Sequence, residues 1–397
     1  MRPGNSEAVV VYGFPASLYT AKVRSYLIKK GIPFLERHPG HPRFGEHIVP
    51  VCGSRRLPIV EHADGSVTQD SNDIIERLDR EHPRLPALPP TPVQRLVARL
   101  VNLFADEALL KQAMHYRWNT TPENRAFVER DFGFAFAREA SETAIRRSGA
   151  DAARLFSGYV PLLGISAETA EAIEAVHLEC LDYLERHFAA HPYILGGHPS
   201  LADYALMGPL YAHLARDPHA GSLLHRRAPR VLRWTEEMNR PSPFLPDHPE
   251  RELAFEAGDR IPDTLKPVLG LMFETFGPEL AAFAGRFREF IEKQPDRPAG
   301  APLESSGYDQ PSLGKVEIDY RGTRMRMVAR MFPLWLFQAV KAEYVSLKGA
   351  TRRSADALLV ETGGAAMMSI TLPRALTRQN NKLVLGGDPV EPAASSS

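Results

Sequence analysis

The chain has 397 residues, too many for one ordinary domain, so we expect two or three. Its 48 basic and 48 acidic side chains balance, which argues against a nucleic-acid or membrane-surface partner. The longest apolar run, residues 331–337, is too short to span a membrane. Only Cys52 and Cys180 are present, which fits a reducing cytoplasm better than a disulfide framework. We see no apolar leader and expect a cytoplasmic protein.

A strand, a turn and a helix open the chain. Residues 8–12 are apolar and largely β-branched, as in a buried strand, and the stripe Val23, Tyr26, Leu27 predicts a helix that ends near Gly31. A second strand over residues 33–36 would complete a βαβ unit. Ser17 stands just ahead of the helix, where its hydroxyl and the first backbone N–H groups could meet an anion. Ser17 could also be a helix N-cap and nothing more.

A second group of short elements follows an irregular loop. Residues 57–61 predict a third strand that begins beside a proline, and the Asp-Gly pair at 64–65 predicts a hairpin turn into residues 67–68. Ser71 is then expected to cap a third helix that carries an apolar stripe. The order over the first eighty residues is therefore β-α-β, loop, β-β-α.

After the proline-rich residues 83–92, the patterns become helical. Apolar stripes predict helices near residues 93–104, 173–188 and 231–238, and Ser200 with Asp203 predicts a capping box. A second proline-rich break follows at residues 241–249.

The last third of the chain has a different character. It predicts a helix, a linker, a β-hairpin and two more helices before a disordered low-complexity tail from Gly386; residues 1–7 also look disordered. The helix is expected at residues 265–293, the linker at 295–314 and the hairpin strands at 315–320 and 325–328. The two further helices are expected at residues 334–348 and 352–362.

Four motifs in this order resemble the cytosolic glutathione S-transferases, especially bacterial-type members with a zeta-, theta- or omega-like start. They are the segment from Ser17 to Arg24, Leu57-Pro58, Gln69-Asp70-Ser71 and the capping box Ser200 to Asp203. The resemblance implies an α/β thioredoxin-like N-terminal domain and an all-α C-terminal domain, with an additional α+β extension. The expected boundaries are 1–88, 93–250, 251–386 for the extension of unknown role, and 387–397 for the disordered tail.

The resemblance also implies a glutathione site, with glutathione as co-substrate. Ser17 takes the position of the catalytic serine, whose hydroxyl would stabilise the glutathione thiolate. A cis Leu57–Pro58 bond would let the Leu57 backbone pair with the cysteinyl part of glutathione, although an ordinary trans edge-strand proline is the alternative. Ser71 would hold the γ-glutamyl carboxylate, and Asp70 and Gln69 the γ-glutamyl amine.

Other residues compete for these roles or extend the site. Tyr12 and Tyr19 are rival activators of the thiol. The substrate pocket is expected between the domains, with Tyr19, Asn102, Asp106 and Tyr116 as walls, and His115 and Trp118 as further candidates. Arg55 and Arg56 could bind the glycyl carboxylate or could simply lie in a solvated loop.

We expect no metal. His38, His41 and His47 share one loop, but no cysteine or carboxylate pair stands at ligand spacing. Cys52 is expected to be a structural thiol.

The resulting function is a glutathione transferase that attacks a small hydrophobic or aromatic electrophile, in detoxification, as a homodimer. Two alternatives stay open. One is a glutathione-dependent isomerase, dehalogenase or ether-cleaving lyase. The other is a non-catalytic binding protein that keeps the fold, which the long extension after residue 250 favours.

Overall fold

The computed structural model describes residues 8–139, 141–241, 246–303 and 312–387. Its strands are β1 (Val9–Tyr12), β2 (Phe34–Arg37), β3 (Ile59–Glu61), β4 (Val67–Gln69), β5 (Ser312–Tyr320), β6 (Thr323–Arg330), β7 (Leu376–Gln379) and β8 (Lys382–Leu385). Its α-helices are α1 (Leu18–Lys30), α2 (Val49–Cys52), α3 (Ser71–Glu81), α4 (Pro92–Leu103), α5 (Leu110–Trp118), α6 (Pro122–Phe136), α7 (Glu142–Ser157), α8 (Ala170–Ala190), α9 (Leu201–Met207), α10 (Pro218–Arg227), α11 (Pro229–Met238), α12 (Lys266–Glu292), α13 (Phe332–Ser346), α14 (Gly349–Thr362) and α15 (Ala365–Met368).

The N-terminal part is a four-stranded mixed sheet in the order β2-β1-β3-β4. Strands β1 and β2 are parallel, whereas β3 is antiparallel to both β1 and β4. The predicted βαβ unit and hairpin are therefore confirmed. Gly31 closes α1 with φ of 67°, in the left-handed region that glycine adopts without a steric cost.

The cap of α3 differs from the prediction. Asp70, not Ser71, is the N-cap residue, and its carboxylate accepts a 2.8 Å hydrogen bond from Asn72 N. Ser71 is instead the first residue of the helix. The prediction failed because both residue types are good caps, and the sequence alone does not say where the helical dihedral angles begin.

The second part is all-helical, as predicted. It runs from α4 to α11, and π-helical turns at Phe104–Ala108 and Gly208–Ala215 follow α4 and α9. The capping box is present: Ser200 N donates to Asp203 Oδ2 at 2.8 Å, and the Ser200 side chain accepts from the backbone N–H of Asp203. Asp203 Oδ1 accepts a further bond from Ile194 N at 2.9 Å. Burial raises the pKa of Asp203 to about 6.

The part after residue 250 contains helices and two small sheets. The long helix, the hairpin β5-β6 and helices α13 and α14 match the predicted pattern, whereas the hairpin β7-β8 was not predicted. Residues 304–311 of the predicted linker, the predicted disordered start at 1–7 and residues 388–397 of the predicted tail lie outside the described residues. The first two residues of that tail are described and bonded to the chain: Gly386 N donates to Ala375 O at 2.7 Å, and Gly387 O accepts from Ala375 N at 3.1 Å. Within the described ranges, no helix combines the length and apolar character needed to cross a membrane.

This extension packs into the rest of the molecule. One cluster of buried apolar side chains reaches from Val9 in β1 to Leu385 in β8. Arg95 and Arg99 of α4 both pair with Glu343 of α13, at 3.0 and 3.1 Å. Deeper in the protein, Lys111 of α5 pairs with Glu279 of α12 at 2.5 Å, and both side chains are almost fully buried. The extension is therefore continuous with the core of the other two parts.

Candidate functional site

A cavity of about 400 Å³ lies where the three parts of the chain meet. The thioredoxin-like part contributes polar residues to its wall, including Ser17 and Asp70. The helical part and the extension contribute mainly apolar side chains, among them Met114, Trp118, Phe132, Phe156, Val328 and Phe332. The cavity therefore has one polar end and a large apolar remainder, as ligand sites commonly do.

Ser17 is the N-cap of α1 and lies on the cavity wall. Its Oγ accepts hydrogen bonds from Thr20 N at 3.3 Å and from Thr20 Oγ1 at 2.9 Å. Because Oγ accepts both, the hydroxyl hydrogen of Ser17 is available to donate elsewhere, and within the described residues it has no acceptor. The cap and the proposed catalytic role are thus compatible in one side chain.

Three of the predicted glutathione residues, Leu57, Gln69 and Asp70, line the same polar end, whereas Pro58 and Ser71 are not part of the described cavity lining. The Leu57–Pro58 peptide bond is cis, as predicted, and Leu57 is on the cavity wall. Gln69 and Asp70 follow at the end of β4, and Asp70 has a φ of 85°, which is unusual for a residue other than glycine. The Ser71 Oγ atom is buried and has no hydrogen-bond partner in the described part of the chain.

The two rival tyrosines are placed differently. Tyr19 is on the cavity wall, but its hydroxyl donates to the backbone oxygen of Asp106 at 3.0 Å, and burial raises its pKa well above the ordinary value. Tyr12 donates to Glu61 at 3.1 Å on another side of the sheet, packs against Phe44, and does not line the cavity described here. Neither arrangement favours a tyrosinate that would activate a thiol.

Four of the candidate pocket residues lie away from the wall. Asn102 and Asp106 both accept from the fully buried Lys22 Nζ at 2.6 Å, so they neutralise and hydrogen-bond a buried ammonium group. Tyr116 packs against the ring of His177, and His115 contacts Glu174. These four residues are absent from the described cavity lining, whereas the candidate Trp118 is part of it.

Two arginines that were not predicted from the sequence line the cavity, Arg117 and Arg330. Arg117 lines it but pairs with Asp217 in a two-pronged contact at 2.7 and 2.8 Å. Arg330, from β6 of the extension, also lines it and pairs with Glu107 at 2.7 Å. Burial raises the pKa of Glu107 to about 7. Nothing in the local sequence links residue 330 to residue 107, so only the tertiary structure shows this pair.

The remaining candidates have simpler environments. Arg56 lines the cavity and burial lowers its pKa, whereas Arg55 is exposed. Cys52 is a buried thiol whose pKa burial raises to about 11. Among the described residues, no group of three or more His, Cys, Asp or Glu side chains is placed to hold a metal ion. This applies to His38, His41 and His47 as well, which therefore do not form such a group.

Comparison with known proteins defines the class of protein. Residues 11–89 match the family model of the glutathione S-transferase N-terminal domain, and residues 167–237 match that of the glutathione S-transferase C-terminal domain. These two matches identify a glutathione S-transferase N-terminal domain and a glutathione S-transferase C-terminal domain in the chain, followed by a long additional C-terminal region. The chain matches none of the curated proteins.

Several solved structures are similar to part of this chain. FzlA from C. crescentus is 20% identical, and the match covers 64% of this chain and 97% of that chain with a TM-score of 0.37. The beta-etherase LigF from Sphingobium sp. strain SYK-6 is 16% identical, with 58% and 95% covered and a TM-score of 0.36. A glutathione S-transferase from Methylobacterium radiotolerans, in complex with glutathione sulfonate, is 20% identical, with 64% and 100% covered and a TM-score of 0.32.

Proposed function

We propose that the protein binds glutathione at the polar end of the cavity and directs its thiolate at a hydrophobic or aromatic electrophile. The observation that carries this proposal is the position of Ser17. Its hydroxyl stands at the N-terminus of α1, on the wall of a cavity that is otherwise largely apolar. Leu57, Gln69 and Asp70 on the same wall supply backbone and carboxylate groups for the peptide part of glutathione.

The chemistry follows from the ionisation of the thiol. A free thiol has a pKa of about 8.5, so only a few per cent is ionised near neutral pH. A hydrogen bond from Ser17 and the positive end of the α1 dipole both favour the anion. The thiol proton leaves to solvent, the sulfur bonds to the electrophilic carbon, and the bond to the leaving group breaks with its electron pair. A hydrogen bond to a charged group contributes about 1.5–3 kcal/mol, which is roughly ten- to hundredfold in rate.

The apolar wall indicates the class of second substrate. The Trp118 ring packs edge-to-face against Phe132, and Phe132 also contacts Phe14 and Phe156. Aromatic rings therefore form much of the cavity surface beyond Ser17. Such a surface favours planar apolar groups. The reaction could end in conjugation, dehalogenation, isomerisation or ether cleavage, because the same thiolate begins each of them. We propose conjugation and treat the others as outcomes of substrate screening.

A titration with glutathione tests this proposal in the intact protein. We expect Ser17→Ala to bind glutathione within about threefold of wild type and to lose about ten- to hundredfold in kcat with an aryl halide. Ser17→Thr keeps the hydroxyl and serves as the matched control. The ultraviolet absorbance of bound thiolate should appear at a higher pH in Ser17→Ala. An unchanged rate would remove Ser17 from this role, and a wild-type protein that does not bind glutathione would favour the non-catalytic alternative.

The resemblance also suggests a homodimer, a cytoplasmic location and a role in detoxification. We carry these forward as part of the proposal. Sedimentation of the purified chain would test the dimer directly.

A further inference from the structure

The unpredicted hairpin β7-β8 of the extension contacts the glutathione end of the cavity at one residue, Gln69. Arg378 Nη2 donates to Gln69 O at 3.2 Å and to Gln69 Oε1 at 2.5 Å. Asn381 Oδ1 accepts from Gln69 N at 3.0 Å. Two side chains of the extension therefore hold the backbone N–H, the backbone C=O and the side-chain oxygen of this one residue.

The arginine itself is fixed in place. Its side chain is only 6% exposed, and Nε donates to Asp73 Oδ2 at 2.7 Å. The guanidinium also lies 5.3 Å from the centre of the Trp335 ring. A planar cation with this many contacts has little freedom to turn away from Gln69.

This contact determines which way the Gln69 amide faces. Arginine carries only donors, so it pairs with the amide oxygen and not with the NH₂ group. The NH₂ group is therefore directed away from Arg378 and is not used by this contact. Gln69 also lines the cavity beside Asp70. The hairpin thus leaves both amide N–H donors of a cavity-lining residue free of Arg378.

We propose that Arg378 and Asn381 position Gln69 so that its NH₂ group donates to the γ-glutamyl carboxylate of glutathione. The inference rests on the proposed function. It reverses the role predicted for Gln69, since a guanidinium on the amide oxygen disfavours an incoming ammonium group by like-charge repulsion. Asp70 then remains to hold the ammonium, and the buried Ser71 hydroxyl is a further donor for the same carboxylate. The extension is in this way part of the glutathione site.

Two ligands separate this positioning role from general damage to the fold. One is glutathione, and the other is 4-aminobutanoyl-cysteinyl-glycine, which differs only in lacking the γ-glutamyl carboxylate. Calorimetric titration measures the affinity of both for wild type, Arg378→Ala, Arg378→Lys and Gln69→Glu. Gln69→Glu keeps an oxygen for Arg378 but replaces the proposed donors by a charge of the wrong sign. Arg353→Ala, at an exposed arginine of α14, is the matched control.

We expect wild type to prefer glutathione over the analogue by at least about tenfold. Arg378→Ala and Gln69→Glu should weaken glutathione binding about tenfold and leave the analogue unchanged. Arg378→Lys should fall between, because an ammonium reaches the amide oxygen without the planar fork. The inference is overturned if the variants weaken both ligands equally, if they weaken neither, or if wild type binds the two ligands alike. If wild type binds neither ligand, the proposed function itself fails.

Discussion

Helix α8 of the helical part carries two histidines, His177 and His187, that are buried in the folded protein. His187 of α8 contacts Thr264 Oγ1 through Nδ1 at 2.9 Å and Tyr193 O through Nε2 at 3.2 Å, so both nitrogens are satisfied by the neutral ring. Desolvation lowers its pKa to about 3. His177 in the same helix has the same shift, also caused by burial. Both rings therefore resist protonation in the folded protein.

This predicts a pH-dependent stability that a single substitution reduces. The unfolded chain takes up a proton on His187 near pH 6.5, but the folded protein does not. The stability that comes from keeping this ring neutral is therefore fully present above pH 6.5 and is lost as the pH falls below it. Between pH 7 and about pH 4 the loss is on the order of 2–3 kcal/mol. We expect His187→Gln to be less stable than wild type at pH 7 and to lose less free energy of unfolding when the pH is lowered. Urea unfolding at each pH measures both quantities. His47→Gln, at an exposed histidine, should match wild type; an unchanged pH slope in His187→Gln would contradict the assignment.

At the residue scale, the sequence predicted those features that depend on neighbours along the chain. Gly31 and the capping box at Ser200 are of this kind, since a local turn of backbone defines them. Asn102 and Asp106 seemed to be pocket residues because they are polar residues on a long helix. Their partner is Lys22, some eighty positions earlier in the chain, and pairing over that distance depends on tertiary packing.

Helices α6 and α7 pack closely because two glycines lie at their contact. A Cβ added at Gly149 would stand 2.0 Å from Glu129 O, and one added at Gly133 would stand 2.3 Å from Ile145 O. Both neighbours are backbone atoms of the facing helix, so they cannot move aside without separating the helices. The absence of a side chain is thus a requirement of this helix pair.

We therefore predict that Gly149→Ala destabilises the protein by about 2 kcal/mol or more, although the same change in an open helix stabilises by up to about 1 kcal/mol. Gly285→Ala in α12 is the control, since a Cβ there meets nothing within 4 Å. Thermal unfolding of the two variants should shift in opposite directions. A Gly149→Ala protein as stable as wild type would show that the two helices can move apart at little cost.

Helix α4 receives its cap from the segment that opens the extension. Asp259 Oδ2 accepts from Val93 N at 3.0 Å, and Oδ1 accepts from Gln94 N at 2.9 Å. A carboxylate at this position satisfies two N–H groups at the start of the helix and also opposes the positive end of its dipole. The first helix of the all-α part is therefore completed by a residue more than 160 positions later.

We expect Asp259→Ala to lower the free energy of unfolding by about 1–2 kcal/mol and Asp259→Asn by less, because the amide oxygen still accepts. Urea unfolding measures both. Asp263→Ala is the comparison, since Asp263 makes only an exposed pair with Lys266 and should change stability by less than about 1 kcal/mol. Equal losses of stability in Asp259→Ala and Asp263→Ala would show that the cap stabilises the protein no more than an exposed ion pair does.

Among the elements, the long helices and the hairpin β5-β6 were predictable because their patterns extend over several turns or alternations. The hairpin β7-β8 was not, because each strand has four residues and β8 is buried at Leu383, Val384 and Leu385 without alternation. Asn380 and Asn381 both have positive φ, as residues of a tight hairpin turn do. The one local signal in the sequence is therefore the Asn-Asn pair just ahead of the apolar residues Leu383 to Leu385.

For the whole molecule, the main consequence is that the extension shares the core and the cavity with the two superfamily domains. The two family models cover residues 11–89 and 167–237, so neither includes the extension. Yet Val328, Arg330 and Phe332 of the extension line the cavity. The sequence predicted the class of fold because the motifs of that class are local. It left the role of the extension open because every contact that defines that role joins residues far apart in the chain.

The buried pair between Lys111 and Glu279 measures how strongly the extension is coupled to the helical part. Both side chains are 2% exposed, and Lys111 Nζ lies 2.5 Å from Glu279 Oε2. Removing Glu279 leaves the Lys111 ammonium buried without this partner, and removing Lys111 leaves the Glu279 carboxylate with only the longer 4.0 Å contact to Arg330 Nη2. Loss of one partner of a buried pair typically costs about 3–5 kcal/mol. Removing both leaves no such charge, and the nearby Arg330 keeps its 2.7 Å pair with Glu107.

A double-mutant cycle on this pair should therefore be strongly non-additive. We expect Lys111→Met and Glu279→Leu each to lower the free energy of unfolding by about 3–5 kcal/mol, and the double variant to lose at least about 2 kcal/mol less than their sum. Urea unfolding of the full chain, followed by both tryptophan fluorescence and circular dichroism, supplies the four values. Coincident transitions would indicate that the extension and the helical part unfold together. Additive losses, or a separate early transition for the extension, would mean that the buried pair does not couple these two parts of the molecule.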